Sequence, residues 1–593
     1  MIFSSPVQYR DAPDDLSLVQ FILDASHPSR PLRKPTSPWL IENHTGTTWF
    51  AEDIRSRVYG LANSLSIRWD LKENDVACVY SPNHMGNFVP TPTRFILKQR
   101  GPEYPIAVWA CHRLGVVVTP ANPNFTVDEL VYQLQATGAR VLFTHPDSLS
   151  GAKAAAEIVG LDPAAIILFE DISSQDIPHG HPVVAQLVKA GLEQPTHYLE
   201  AKLRPGEGRT KLALLCFSSG TTGKPKAVAL PHFAIISCIL QLALAQNING
   251  RNAEKGRYRS GDVAIGVLPF FHIYGMVANL HWAIFCGMSV VVHGKFDFEE
   301  MLKSIERYRI NTLFLVPPHV VLLSKHSAVK RYDLSSVRSC SAGAAPISQE
   351  LTAEFYRALP NSRLIQIYGM TETSTAISMQ PPGDTPTPGS AGCLVPGMVA
   401  KIVKLDGTLS THDEPGELWV KGPQVALRYL NNDKATKETF TDGWLRTGDE
   451  VIINKKGELF VVDRIKEILK VRGFQVAPAE LEGHLLNHPY VADCAVVGIP
   501  NDFSGEVPMA FVTLSEEAKK LADSGNEQVD HIKATIEKHV SDTKIRYKWL
   551  EGGVEFMDTI PRNPSGKLLR RLLRDQAKER VHNREAKATR SKL

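Results

Sequence analysis

The run Ser218-Ser219-Gly220-Thr221-Thr222-Gly223-Lys224-Pro225-Lys226 decides how the rest of the chain is read. An apolar stretch, Leu212 to Phe217, precedes it and reads as a buried strand, and a second, Ala227 to Leu230, follows it. Strand, hydroxyl- and glycine-rich turn, strand is a shape suited to holding phosphate. Glycines let the backbone approach closely and turn N–H groups inward. Ser and Thr add hydroxyl donors, and Lys224 and Lys226 add charge. The spacing excludes the usual kinase and ATPase loop, which needs four residues between its first glycine and the Gly-Lys pair. Here only Thr221 and Thr222 intervene.

Outward from that loop the chain is long, at 593 residues, and is expected to divide into about two to four units. With 43% hydrophobic and 22% charged residues it has ample material for a globular core. Net charge is +3, but Arg570 to Leu593 alone carries nine Lys/Arg against three Asp/Glu. The body is therefore slightly acidic, which argues against nucleic-acid binding. Eight cysteines are scattered singly with no C-x-x-C pair, so structural disulfides and zinc are not expected and a reducing compartment fits. Met1 to Asp15 lacks the pattern of a secretory signal. Ala234 to Ala245 is too short to span a bilayer and reads as a buried helix, so no transmembrane segment is expected. The terminal Ser591-Lys592-Leu593 reads as a peroxisomal address recognised by an import receptor, so the protein is expected in the peroxisome.

Before the loop, Val76–Tyr80, Val116–Val118, Val141–Phe143 and Ile166–Phe169 read as buried strands. Helical patterns separate them, such as Thr126–Thr137 with Asp128 and Glu129 in its first turn. That alternation implies a mostly parallel sheet covered on both faces. Gly86 to Glu103 breaks the rhythm with three prolines and three basic residues. It is a surface loop or a retained intron, and a helix entry is a poor place for an insertion, which favours the intron. Transcript sequencing decides between them.

After the loop, further motifs follow in order: Pro269-Phe270-Phe271-His272-Ile273-Tyr274-Gly275, Ser339-Cys340-Ser341-Ala342-Gly343-Ala344-Ala345-Pro346, Gln366-Ile367-Tyr368-Gly369-Met370-Thr371-Glu372, Trp444-Leu445-Arg446-Thr447-Gly448-Asp449, a stretch from Asp463 to Val476, and Pro561-Arg562-Asn563-Pro564-Ser565-Gly566-Lys567. Singly, each has a bland explanation. A lone histidine after a strand is commonly structural, small residues in series make a close-packed turn, and Lys295 or Lys567 alone reads as a surface charge. Together, in this order, they resemble the adenylate-forming superfamily of acyl-CoA synthetases, luciferases and adenylation domains. The nearest branch is the 4-coumarate–CoA ligase-like one with its peroxisomal fungal relatives, on phrases such as Gly473-Phe474-Gln475-Val476-Ala477-Pro478.

The resemblance implies an α/β fold, with a large N-terminal domain (1–462) of stacked, mostly parallel sheets and a small barrel-like subdomain. A hinge (463–466), a smaller mobile α+β lid (467–570) and a basic tail (571–593) would follow. It implies ATP, CoA and magnesium. Ser218, Ser219, Gly220, Thr221, Thr222, Gly223, Lys224 and Lys226 would hold phosphates. Gly343, Ala344, Gln366, Tyr368 and Gly369 would surround adenine, Asp449 and Arg464 the ribose, and Glu372 the magnesium. Thr371 would meet the α-phosphate and Lys567 the reacting centre, with Lys470 and Gln475 approaching the acyl-adenylate. His272 and Tyr274 would gate the acyl pocket, Ala342 and Ile367 would line it, and Lys295 and Gly473 would contact CoA. Ile367 stands where that branch commonly has glycine, which would narrow the pocket. The implied reaction activates an aryl or medium-chain carboxylic acid to an acyl-adenylate and passes the acyl group to CoA. A luciferase-like oxygenase shares the motifs, and a non-catalytic binding protein could share the fold. Incubation with CoA and acids separates the first from a ligase; the joint presence of Lys567, Glu372 and Asp449 argues against the second. A carrier-loading module is disfavoured because only about two dozen residues follow Lys567.

Overall fold

The apolar runs around the opening loop belong to a sheet whose centre is parallel. Val76–Tyr80 lies between Val117–Ala121 and Val141–Thr144, and Ile166–Leu168 extends the edge, all parallel. These are near-continuous apolar runs, as strands buried on both faces must be. Leu212–Ser218 joins Val117–Ala121 in parallel, and Lys226–Pro231 then returns antiparallel, bringing Ser218 opposite Lys226. A computed structural model describes residues 1–83, 103–169, 180–218, 225–250, 256–347, 349–383, 387–472, 474–501, 504–563 and 566–579. Ser219 to Lys224, Gly473, Ser591 to Leu593 and the expected interruption up to residue 102 thus lie outside the described residues. The expected helix at 126–137 runs from Val127 to Thr137 and is set by a capping box. The Thr126 hydroxyl accepts from the Glu129 amide, and the Glu129 carboxylate accepts from the Thr126 amide at 2.8 Å.

Among the described residues this sheet has seven strands and a second has nine. The second is parallel from Leu40–Glu42 through Ser289–Val292, Val263–Gly266, Thr312–Leu315 and Ser339–Ala342 to Arg363–Tyr368. One core cluster joins residues of both sheets with the helix His232–Ala245. That helix is the expected apolar one, and no described helix is long and apolar enough to cross a membrane.

The barrel-like subdomain takes the form of a six-stranded antiparallel sheet built mainly on Val399–Val403, Gly416–Lys421 and Trp444–Ile453. Its last strand, Leu459–Arg464, pairs Arg464 with Asp449 and Asp463 with Glu450. Asp463 and Arg464, expected in the hinge, are therefore still strand residues held by the N-terminal body. The lid has its own five-stranded sheet, packed on the helices Pro478–Leu485 and Asn526–Ser541. The tail expected from 571 is helical as far as it is described: residues 570–579 form a helix, and Leu573 and Ala577 are buried against Ala495, Val497 and Phe511. Their spacing of four puts both on one helix face, a pattern masked in the sequence by the surrounding arginines.

Candidate active site

Most of the singled-out residues sit where strands end. His272 and Tyr274 follow the strand Val263–Gly266, Gly343 and Ala344 follow Ser339–Ala342, and Gly369 to Glu372 follow Arg363–Tyr368. Ligands in open parallel sheets bind outside the carboxyl ends of strands, and these ends line a cleft of 1310 Å³. Ser218, Lys226, Ile367, Thr371, Arg464, Lys470, Gln475 and Lys567 also line it. A second cavity of 1380 Å³ adjoins it, with Gln366, Tyr368 and Asp449 in its wall.

Glu372 is buried, and its Oε1 accepts the Ser218 hydroxyl at 3.0 Å and the Tyr429 hydroxyl at 2.8 Å. Lys226 lies 4.7 Å from the centre of the Tyr429 ring, a cation–π distance. Tyr429 was not legible as a site residue, because it stands in the plain run Arg428-Tyr429-Leu430 and reaches the site only through a short strand paired to Lys226–Pro231. Asp449 is buried as well. Its Oδ2 accepts the Tyr368 hydroxyl at 2.6 Å, and its Oδ1 stands 3.4 Å from Arg464 Nε. Burial raises the Asp449 carboxyl above its ordinary range, against the pull of Arg464.

Lys567 enters from the lid on a built loop. Asn563 Oδ1 accepts the Lys567 amide at 2.9 Å, and Arg562 pairs with Asp493 at 2.8 Å. Gly566 has φ +82°, and a Cβ there would lie 2.9 Å from Val316 Cγ2 in the N-terminal body, so only glycine lets the loop seat this closely. Burial and then Arg464 lower the Lys567 ammonium to about 8, opposed by Glu467, Asp449 and Glu372. His272 is lowered to about 4 by burial and by Lys567, so it is neutral at physiological pH. Its Nδ1 accepts the Tyr274 amide at 3.3 Å, which leaves the proton on Nε2.

Other residues are placed differently. Lys470 and Gln475 are exposed partners across two antiparallel lid strands, at the outer part of the cleft. Gln366 is spent on the fold, accepting the Ile347 amide at 2.9 Å and donating to the Ser390 carbonyl at 3.3 Å. Ala342 does not line the cleft: it packs into the core beneath the nine-stranded sheet, since the strand's alternation turns it away. Lys295 is exposed and outside both cavities. Thr375, which no motif picked out, lines the cleft.

Comparison with known proteins matches residues 94–430 to the AMP-binding enzyme family and residues 480–567 to its C-terminal domain. The chain belongs to the AMP-binding enzyme family. An acyl-CoA ligase of Alternaria alternata, AKT1, is 34% identical to this AMP-binding enzyme over 600 residues, covering 97% of each chain. A 4-coumarate-CoA ligase of Narcissus pseudonarcissus is 33% identical, covering 97% of this chain and 96% of its own. Among solved structures, the anthranilate CoA ligase AuaEII in complex with anthranoyl-AMP has a TM-score of 0.78 at 24% identity, covering 96% of this chain and 99% of that one. The expectation of an adenylate-forming acid–CoA ligase, with its α/β fold and smaller C-terminal domain, is borne out.

Proposed function

We infer that this AMP-binding enzyme is an ATP-dependent acid–CoA ligase whose acid is aryl or medium-chain. The observation that carries the reading is the meeting in one cleft of Lys567 from the lid with Glu372, Arg464 and His272 from the body, with Asp449 against Arg464 in the wall of the adjoining cavity. Asp449 and Arg464 would hold the ribose, and the Thr371–Glu372 turn would face the phosphates. As the acid's carboxylate adds at the α-phosphate and pyrophosphate leaves, negative charge grows on the transferring group. Lys567, protonated below pH about 8, is placed to neutralise it. His272 keeps its Nε2–H as a neutral donor beside that lysine. Acyl transfer to the CoA thiol then expels AMP, and the exposed pair Lys470 and Gln475 lies on the lid face suited to that second step.

No group of three His, Cys, Asp or Glu able to hold a metal occurs among the described residues. A lone buried carboxylate with Oε2 left unused by Ser218 and Tyr429 nevertheless fits magnesium, which takes its remaining oxygens from phosphate and water. When bound, the ion would offset phosphate charge at Glu372. The acyl end is lined by Ile273, Tyr274, Gly343 and Ile367. A Cβ on Gly343 would lie in contact with the Tyr274 ring at 3.5 Å, so these two residues face each other closely at that end.

The test is acid-dependent pyrophosphate exchange, then CoA-dependent AMP release, across aryl and medium-chain acids. Exchange without CoA, and thioester only with it, is the expected result. Oxygen consumption with no thioester would replace the ligase by an oxygenase. We also propose peroxisomal residence, supported by the terminal Ser591-Lys592-Leu593. Removing the tripeptide should disperse the protein into the cytosol at unchanged catalytic rate; persistent punctate localisation would reject the address.

A further inference from the structure

Among the described residues, positive φ at residues other than Asn, Asp and Gly falls mostly in or beside the site motifs. Eleven described non-glycine residues have positive φ, and six of them are Asn or Asp, which tolerate the left-handed region. Of the other five, Arg309 caps a helix, while Ala344, Ser374, Thr375 and Arg472 fall in or beside the site motifs. Thr375 is the one β-branched residue among the eleven, and its φ is +126°. Such a conformation persists only where the surroundings over-determine it.

Here they do. The Ser374 hydroxyl donates to the Gln424 carbonyl at 2.9 Å, and Gln424 Nε2 donates to the Ala376 carbonyl at 3.2 Å. Gln424 is itself fixed by Gln241, which donates to its Oε1 at 2.9 Å in the core. Both neighbours of Thr375 are thus bolted to one buried residue, Ser374 to the Gln424 backbone and Ala376 to its side chain. Thr375 spans the gap, and its own groups point to two parts of the site. Its hydroxyl donates to the Ile273 carbonyl at 3.1 Å, between His272 and Tyr274. Its amide donates to the Met370 carbonyl at 3.3 Å, and its carbonyl presses so close to Gly369 that a Cβ there would lie 1.7 Å from it. The segment from Gly369 to Ile377 is a loop between paired strands, pinched at Gly369 and Thr375, with Thr371 and Glu372 at its tip.

We propose that Thr375 is a positioning residue that holds the Thr371–Glu372 turn in register with the His272–Tyr274 segment. It fixes where the acid's carboxylate sits relative to the α-phosphate without touching the reacting atoms. The proposal rests on the ligase reading. Removing such a register displaces reacting groups by fractions of an ångström, and misplacement of about 1 Å costs on the order of 100-fold in rate.

Three variants test it. Thr375→Gly removes both the strain and the hydroxyl, Thr375→Val keeps the branched shape without the hydroxyl, and Thr375→Ser keeps the hydroxyl. In Thr375→Gly, kcat for acid-dependent pyrophosphate exchange should fall about 10- to 100-fold. The KM for ATP should stay within about twofold, and Tm should be equal to or above that of the parent, because glycine accepts this φ. Thr375→Val should lose about tenfold, and Thr375→Ser should remain within about threefold of the parent. Glycine and valine variants that keep the parental kcat would overturn the proposal, as would losses of kcat that merely follow losses of Tm. A parent protein that exchanges pyrophosphate with no acid would instead defeat the ligase reading. Hydrogen exchange then decides the positioning role separately: Thr375→Gly should speed exchange at Met370 to Ile377 and at Tyr274 together, and unchanged protection at both would reject it.

Discussion

The lid presents two lysines to the cleft, and they are held in opposite ways. Lys567 is sunk among charged groups on a loop fixed by Asn563 and by the seating of Gly566 on Val316. Lys470 is exposed on an edge pair of strands of the lid's sheet, opposite Gln475. Lys567 is half-buried and has given up part of its hydration, and the lowering to about 8 records that. An exposed one has given up nothing. On the proposed ligase reading, the difference means that this arrangement would suit adenylation, while the exposed Lys470–Gln475 face would serve the thioester step.

The largest effect should come from breaking that asymmetry directly. Loss of one charged donor at a developing oxyanion costs about 3–4 kcal/mol. Lys567→Ala should therefore slow acid-dependent pyrophosphate exchange on the order of 10²–10³-fold, while a supplied acyl-adenylate is still converted to the CoA ester. Equal damage to both half-reactions would show that the two faces are not distinct. Lys470→Ala should do the reverse, slowing thioester formation about tenfold, since a charge-assisted hydrogen bond contributes about 1.5–3 kcal/mol when desolvated and less when wet. Gly473→Leu, at a position outside the described residues, should share that direction by obstructing the path of CoA.

Acidity sharpens the contrast. The folded-state value of Lys567 is depressed, so the charged form is lost as pH rises through about 8 rather than through the ordinary lysine value. In the free enzyme, kcat/KM for adenylation should fall about tenfold per unit above pH about 8, and thioester formation from supplied adenylate should not share that limb. A single alkaline limb common to both half-reactions would count against the assignment. The smallest expected effect is at the acyl end. Ile367→Gly removes a buried branched side chain and should improve bulkier aromatic acids relative to small ones by about 10-fold or less. An unmoved ratio of kcat/KM values would take Ile367 out of the pocket wall.

What the sequence disclosed follows from range. The buried strands, the capped helix at Thr126 and the small-residue turn at Gly343 are local patterns, and local patterns can be read from a line of letters. The unread features are those made by distant partners. Tyr429 meets Glu372 across 57 positions, and nothing near Tyr429 announces it. The resemblance puts Ala342 in the pocket wall, yet a strand turns alternate side chains to opposite faces. The helix at 570–579 was hidden by charge, since Leu573 and Ala577 find their partners only on the folded lid. Strain at Thr375 has no letter-level sign at all.

The end of the strand Leu459–Arg464 carries a consequence of its own. Consecutive residues there make different contacts: Asp463 Oδ2 accepts the Ala479 amide of the lid at 3.1 Å, while Arg464, which lines the cleft, reaches Asp449. If Asp449 and Arg464 hold the ribose as proposed, one strand end would answer to nucleotide on one face and to lid orientation on the other. Thermodynamic linkage makes such an arrangement reciprocal. Whatever factor nucleotide contributes to holding the lid, a lid fixed in this orientation must return as tighter nucleotide binding. A covalent tether between lid and body would measure that shared factor from either side.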